Sequence, residues 1–400
     1  MRTGKRLLAL TTSYPLRPGS ASGIFVHRLY RSFPRDWRID VLCPDDAAGT
    51  GSYSDGRVRI SPVCYAPKRM RTLSQAAGGI SAALATSPAK AWMVPLLILA
   101  MFVRCLREAR SSDMIHANWA ICGAIAALAA RLARKPVATT LRGDDVASAK
   151  KSVFSRWVLG AAVGGSDAVV CVSDAMLEEL KQLYPRSAQK MSVCRNGVDE
   201  DYLRVRSSAG DPAVLRVLAV GSAIRRKGFD VLISAMGAIG RAPILSVKIV
   251  GDGPEREELA ARAEKLGVDS RLVFSGAVPP QEVLELLADA DVFVLTSRSE
   301  GRPNVVLEAL AAGVPVISTD LPGVRGLVEH GVNGWLFPVD DYEALAKNLR
   351  EASDNRELLR AMGRNARARI LASGETWPVA ANRYAALFGT LMSRNATGAR

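Results

Sequence analysis

"SRSEGRPNVVLEALAAGVPVIST", residues 297–319, sets Glu300 and Glu308 eight positions apart across a Gly, a Pro and an Asn. In one continuous helix they would be two acids on a solvated face, but Gly301 and Pro303 oppose that. Proline is tolerated at the first position of a helix, where its fixed φ suits the turn and its missing N–H had no partner to lose. Glu300 is therefore expected in a loop. Glu308 then lies about one and a half turns into a helix that runs from Pro303 to Ala312 and stops at Gly313. "DVFVLTS" (291–297) before it and "VPVIST" after it are apolar runs of strand length. In such a strand–loop–helix–strand unit the free N–H groups around Asn304 to Val306 form an anion site beyond the carboxyl end of the first strand. A phosphate there has a carboxylate on either side, able to accept from hydroxyl-rich groups. A nucleotide-sugar has that form, with ribose and hexose flanking a diphosphate.

The 400-residue length suggests two to three domains, and 48% hydrophobic content can supply a core in each. Cysteines 43, 64, 105, 122, 171 and 194 stand singly, without metal or disulfide spacing, and read as reduced structural thiols of a cytosolic protein. The apolar part of "MRTGKRLLALTTSYP" ends too soon for a signal peptide and reads as the first strand. The net charge of +14 is uneven: residues 1–200 hold 28 Lys and Arg against 15 Asp and Glu, and residues 201–400 hold 25 against 24. A basic first half points to a polyanionic partner, either nucleic acid or an anionic membrane.

β-rich runs alternate with helical stretches from "RLLALTTSY" (6–14) to "MSVCRNG" (191–197), and the rhythm restarts at "VLRVLAVG" (214–221). Two doubly wound α/β domains follow, over residues 1–200 and 201–375, with a polar linker around 196–213 and a closing amphipathic helix and tail over 376–400. One segment departs from the rhythm. The apolar run from Ala91 to Val103 is interrupted by Pro95 and flanked by Lys90 and by Arg104, Arg107 and Arg110. It is too short and broken to span a bilayer, and either shallow membrane insertion or burial against the sheet fits it.

"VGDGPEREEL" (250–259) lacks the third glycine of a dinucleotide fingerprint, which argues against a dehydrogenase. Asp289 and Asp291 read as a helix end and a strand start. His27, His116 and His330 are far apart, so no metal is expected. "VGSAIRRKGFD" (220–230) places Arg225, Arg226 and Lys227 at the carboxyl edge of a strand, where cations can neutralise a leaving diphosphate. Gly19 and Gly23 punctuate the loop after the first strand and can let backbone approach a ligand.

In this order the pieces resemble the family 4 glycosyltransferases of GT-B architecture, two Rossmann-like domains facing across a cleft. The most specific part is "ADVFVLTSRSEGRPNVVLEALAAGVPVIST" followed by "GVNGWLFPVDD". The resemblance implies that Glu300 contacts donor sugar hydroxyls, Glu308 the ribose and Lys227 the diphosphate, with Glu300, Lys227 and His116 as catalytic residues. It implies donor binding by Gly23, Ser222, Arg225, Arg226, Gly301, Asn304, Val305 and Glu308, and places Asn118 and Arg142 near the acceptor or sugar. The opening "TTSYPLRPGSASGIFVHRL", with "HANWA" and "LRGDD", is most similar to members that build bacterial exopolysaccharide or cell-envelope glycans.

Three positions depart from the pattern. Ser222 stands where Arg is usual, Asn118 replaces the second His of H-x-H, and Gly326 lies where an acid is expected. The expectation is a retaining, metal-independent hexosyltransferase without cofactor, peripheral on the cytoplasmic face of the cell membrane. Its donor is a nucleotide-diphosphate sugar, its acceptor a glycan or polyprenyl-diphosphate-linked glycan, and it has no nucleic-acid partner. A nucleotide-sugar epimerase, which needs no acceptor, is the alternative enzyme. A basic membrane or nucleic-acid scaffold, which binds no nucleotide-sugar, is the alternative from another class.

Overall fold

The computed structural model describes residues 4–17, 20, 22–49, 51–73, 79–205, 211, 213–240 and 242–398. Gly19, and residues 206–210 and 212 of the expected linker, lie outside that set. The chain divides into two compact units, Met1–Asn196 together with Trp377–Arg400, and Gly197–Thr376. The boundary falls four residues before the expected one at 200. The C-terminal helix belongs to the first unit.

In the first unit the strands are β1 (Lys5–Leu10), β2 (Trp37–Pro44), β3 (Tyr53–Asp55), β4 (Val58–Val63), β5 (Met114–Asn118), β6 (Val137–Leu141), β7 (Ala168–Cys171) and β8 (Met191–Val193). Their order is β3-β4-β2-β1-β5-β6-β7-β8, parallel except for β3 against β4. β5 and β6 are buried along their whole length, as their apolar runs require in a sheet covered on both faces. The β3–β4 hairpin was not read from the sequence. Its turn holds Gly56 at a φ of 60°, and Asp55-Gly56 is the signal that marked it.

The closing helix Trp377–Ala396 buries Trp377, Ala380, Ala381, Tyr384, Phe388 and Leu391, a stripe at helical spacing. Phe388 packs on Phe33, Trp37 and His116, so this helix completes the core on one face of the first sheet.

Helices Met93–Ala109, Ala120–Ala133 and Val153–Gly165 pack side by side on that unit. Within Met93–Ala109, Met93, Leu97, Met101, Cys105 and Ala109 are buried every fourth residue, while Leu96, Leu99 and Val103 on its other side are exposed. The expected break at Pro95 does not occur, because Pro95 falls in the first turn, where no backbone hydrogen bond is lost. The expectation that the run is too short to span a bilayer is corrected, since the helical residues extend it to Pro88–Ala109, long and apolar enough to cross a membrane by length and composition alone. One stripe of the run is thus buried in the unit, as the packing alternative expected, and the other faces out.

The second unit has six parallel strands, β9 (Val214–Val220), β10 (Ile244–Val250), β11 (Leu272–Gly276), β12 (Val292–Leu295), β13 (Val316–Thr319) and β14 (Gly334–Phe337), in the order β11-β10-β9-β12-β13-β14. The chain leaves β9 toward β10 and β12 toward β13, in opposite directions from two adjacent strands. That divergence opens a crevice at the carboxyl ends of β9 and β12, the usual ligand position in an open α/β sheet.

Candidate active site

Two loops meet at this switch point. β9 runs into Gly221 and the turn Arg225–Lys227, and Gly228 then starts helix Phe229–Ile239 with a φ of 65°. A Cβ at Gly228 would stand 2.2 Å from the Thr296 carbonyl, so only glycine lets this turn rest on the end of β12. Thr296 Oγ1 donates to the Lys227 carbonyl at 2.9 Å, and the Arg298 N–H to the Arg226 carbonyl at 2.8 Å. Arg298 also bridges Asp230 and Asp340, each at 2.7 Å. The result is one rigid surface made of two segments about seventy residues apart.

Glu300 lies in the second loop, as expected. Its Oε1 accepts from Lys227 Nζ at 2.6 Å and from Ser297 Oγ at 2.7 Å, and Arg226 stands 4.0 Å from Oε2. Burial pushes this carboxyl up, but the Lys227 and Arg226 charges and the two hydrogen bonds outweigh it and hold Glu300 below the usual range. Helix Asn304–Ala311 follows, with Pro303 as N-cap and Gly313 at a φ of 78° after its end, within a residue of the expected limits. Glu308 is buried on its second turn, and Asn304 and Val305 are half-buried in its first. Ser222 is half-buried and Arg225 exposed. The structure thus gathers Ser222, Arg225, Arg226, Lys227, Glu300, Gly301, Asn304, Val305 and Glu308 on two adjacent strand ends.

Other residues support this surface without having been singled out. Gly323 lies against the Glu300 loop: a Cβ there would be 2.3 Å from the Gly301 carbonyl oxygen and 2.5 Å from that of Glu300. Ser297 was quoted but given no role. Arg302, buried one residue after Gly301, pairs with Glu375 at 2.5 Å. The glycines of "VGDGP" serve packing, since Cβ atoms at Gly251 and Gly253 would stand 1.8 and 2.4 Å from the carbonyl oxygens of Gly221 and Ala223. Asp291 is held by Arg216 at 2.9 Å and Arg356 at 3.3 Å, the structural reading of that carboxylate.

The remaining expected residues belong to the first unit. Gly23 caps helix Ile24–Arg31 with a φ of 64°, and a Cβ there would lie 2.2 Å from the Ser13 carbonyl oxygen. His116, on β5, is fully buried. Its Nδ1 meets Tyr30 Oη at 2.9 Å and its Nε2 meets Thr140 Oγ1 at 2.8 Å, and Thr140 in turn meets Tyr384 Oη at 3.1 Å. Burial first, and the Arg142 charge second, push the imidazole well below its ordinary pKa, so it is neutral. Both ring nitrogens are occupied, and His116 lies within the central strand β5, paired with β1 and β6. Asn118 Nδ2 donates to Tyr30 Oη, and Arg142 donates to Asn118 Oδ1 at 2.6 Å and to Asn196 Oδ1 at 2.8 Å. Where H-x-H would place a second imidazole, Asn118 thus links the buried network to Arg142.

Asp145 fixes the same edge by accepting from the N–H groups of Ala120 and Arg142 at 2.7 and 2.9 Å, and burial raises its carboxyl to about 6. Trp119 beside it has a φ of 69°, a strained conformation for a non-glycine residue. Trp119 and Asp145 lie in the "HANWA" and "LRGDD" motifs but were given no role, and Tyr30 and Tyr384 had no sequence signal, because they act through partners distant along the chain. All six cysteines are free, five of them buried.

Residues 22–202 match the sequence profile of Glycosyltransferase Family 4, and residues 207–369 that of Glycosyl transferases group 1. A putative teichuronic acid biosynthesis glycosyltransferase of Bacillus subtilis is 30% identical over 342 residues, 80% of this chain and 82% of that protein. A putative colanic acid biosynthesis glycosyltransferase of Salmonella typhimurium is 31% identical over 64% of this chain and 65% of its own. Among solved structures, Anabaena HepE in complex with UDP and glucose superposes with a TM-score of 0.75 at 19% identity, over 96% of this chain and 100% of that one. Sucrose-phosphate synthase from Thermosynechococcus elongatus gives 0.80 at 19% identity, over 97% and 100%. With both halves matched and most of the chain aligned to a relative, this protein belongs to the family 4 glycosyltransferases, and its fold is GT-B.

Proposed function

We propose that this enzyme transfers a hexose, with retention of anomeric configuration, from a nucleotide-diphosphate sugar to a glycan or polyprenyl-diphosphate-linked acceptor of the bacterial cell envelope or exopolysaccharide. The observation that carries this reading is the Lys227–Glu300 pair at the switch point of the second unit, with Arg225 and Arg226 beside it. A diphosphate at this strand edge meets three cations and the N-terminus of helix Asn304–Ala311, while Glu300 and Glu308 offer acceptors to the sugar and the ribose. The envelope context is supported by the relatives named above, and a glycan acceptor suits the polar edge built by Asn118 and Arg142.

The mechanism follows from charge. As the glycosidic bond to the diphosphate breaks, negative charge grows on the leaving oxygen and positive charge on the sugar ring. Lys227 and Arg226 stabilise the first, and because they are already fixed, no reorganisation is needed at the moment of reaction. Glu300, ionised and held by Lys227 and Ser297, orients the sugar hydroxyls. The acceptor hydroxyl oxygen bonds to the anomeric carbon on the face from which the diphosphate departs, and gives its proton to that leaving phosphate, which retains the configuration. These fixed cations supply the countercharge of the diphosphate, and the proposal is for turnover without divalent metal.

The first unit, with its basic surplus, docks on the anionic cytoplasmic face of the cell membrane, where a lipid-linked acceptor lies. A thermal-shift screen over UDP- and GDP-sugars tests the donor site, since a ligand at 100 times its Kd adds about 2.7 kcal/mol. Transfer assays with excess EDTA and anomer analysis of the product test the rest. No shift with any nucleotide-sugar, or complete loss of activity on chelation restored by Mg²⁺ or Mn²⁺, contradicts the corresponding part.

A further inference from the structure

Phe154, Trp157 and Val153 are 62%, 69% and 82% exposed on the first turns of helix Val153–Gly165. The two rings stack on each other at 6.4 Å between centroids, so they present one apolar wedge. Ser152 caps the helix by accepting from the Ser155 N–H, which makes the wedge a rigid helical start. Lys150, Lys151 and Arg156 flank it in the chain and are all exposed, Lys150 pairing with Glu179 at 2.7 Å. An exposed aromatic pair with cations close by in the chain costs solubility in water and is the composition that settles at a lipid–water interface, with rings at headgroup depth and cations on the phosphates.

Position supports the same partner. Helix Val153–Gly165 ends two residues before β7 begins, so its first turn lies toward the carboxyl edge of the sheet, where Asn118 and Arg142 sit. Helix Met93–Ala109 leads into β5 in the same sense, and the exposed Trp92 and Leu96 stand at its start. Both helices pack on Ala120–Ala133, so the apolar groups share one helical layer. A second copy of the chain would bring these positive surfaces face to face and repel, whereas an anionic lipid surface neutralises them.

We propose that Val153, Phe154 and Trp157 form a membrane-insertion wedge that docks the first unit on anionic phospholipid with its acceptor edge turned to the bilayer. The assignment rests on the membrane-docking part of the function proposed above and adds the element that inserts.

The test uses the full-length protein, sedimented at low salt with phosphatidylglycerol or phosphatidylcholine vesicles. Wild type is expected to bind the first and release with salt. The double variant Phe154→Ser/Trp157→Ser should lose about tenfold or more of the partitioning, because its apolar contribution is removed. Unchanged circular dichroism and melting would show that it is folded. Brominated phosphatidylglycerol should quench wild-type fluorescence more than that of Trp157→Phe, which places Trp157 itself in the interface. Unaltered partitioning of the double variant, or equal quenching in both proteins, overturns the wedge. So does a wild-type dimer that the double variant converts to monomer with vesicle binding intact. Release of UDP from UDP-sugars in the absence of vesicles is measured in parallel. Its persistence in a protein that ignores vesicles separates failure of the wedge from failure of the glycosyltransferase reading.

Discussion

Lys227 Nζ and Glu300 Oε1 stand 2.6 Å apart although 73 residues separate them in the chain. The pair joins the first strand end of the second unit to the fourth, and sets a cation and a carboxylate in direct contact on one small surface. In the function proposed above, donor phosphate meets the cation of this pair and donor sugar its carboxylate.

Truncating the two ends of the site should separate binding from chemistry. Ribose contacts persist from ground state to transition state, whereas phosphate charge grows during cleavage. Glu308→Ala is expected to raise the KM for donor with kcat little changed, and Lys227→Ala to lower kcat about 100-fold or more. Steady-state kinetics at varied donor decide it, and wild-type constants in both variants would remove these residues from the site.

Glu300 should also leave a signature in stability against pH. Its folded pKa is held below the ordinary 4.5, so the unfolded state binds a proton more readily. Its contribution is therefore complete above the unfolded value and is lost as pH falls through the lower folded one. The Tm advantage of wild type over Glu300→Gln is expected to be constant near neutrality and to shrink below about pH 4. A difference that grows with acidity contradicts the ion-pair account.

Gly323 and Gly326 offer a paired test of loop support. A methyl group at Gly323 collides with the carbonyls of Glu300 and Gly301, while one at Gly326 meets nothing within 4 Å. Gly323→Ala should shift the Glu300 loop and cost about 10- to 100-fold in kcat/KM, and Gly326→Ala should be close to wild type. Equal activity of the two variants would show that the loop yields easily.

Arg302 and Glu375 form a pair whose side chains are only 5% and 12% exposed. Removing Arg302 takes this cation from a buried carboxylate, so Arg302→Met is expected to destabilise the protein by up to about 3–5 kcal/mol, with Arg302→Met/Glu375→Met recovering part of the loss. Denaturant unfolding of the single and double variants measures the coupling, and strict additivity would mean that the contact is energetically idle.

Much was legible in the chain. Apolar runs of strand length, the breakers Gly301 and Pro303, and the stop at Gly313 depend on local backbone chemistry, so strand–loop–helix–strand and the loop position of Glu300 could be read directly. The alternation of such units implied two doubly wound sheets.

Tertiary structure decided what depends on neighbours far apart in sequence. Nothing local says that Lys227 reaches Glu300, that Gly323 bears on the Glu300 loop, or that the C-terminal helix completes the first core through Tyr384 and Phe388. His116 shows the difference most plainly. Its residue type suggests proton chemistry, but burial among Tyr30, Thr140 and Phe388 leaves it neutral, with both nitrogens engaged. Sequence supplies the titratable group and its preferred backbone; solvent access and long-range partners, fixed only when the sheets assemble, determine its charge and what it can touch.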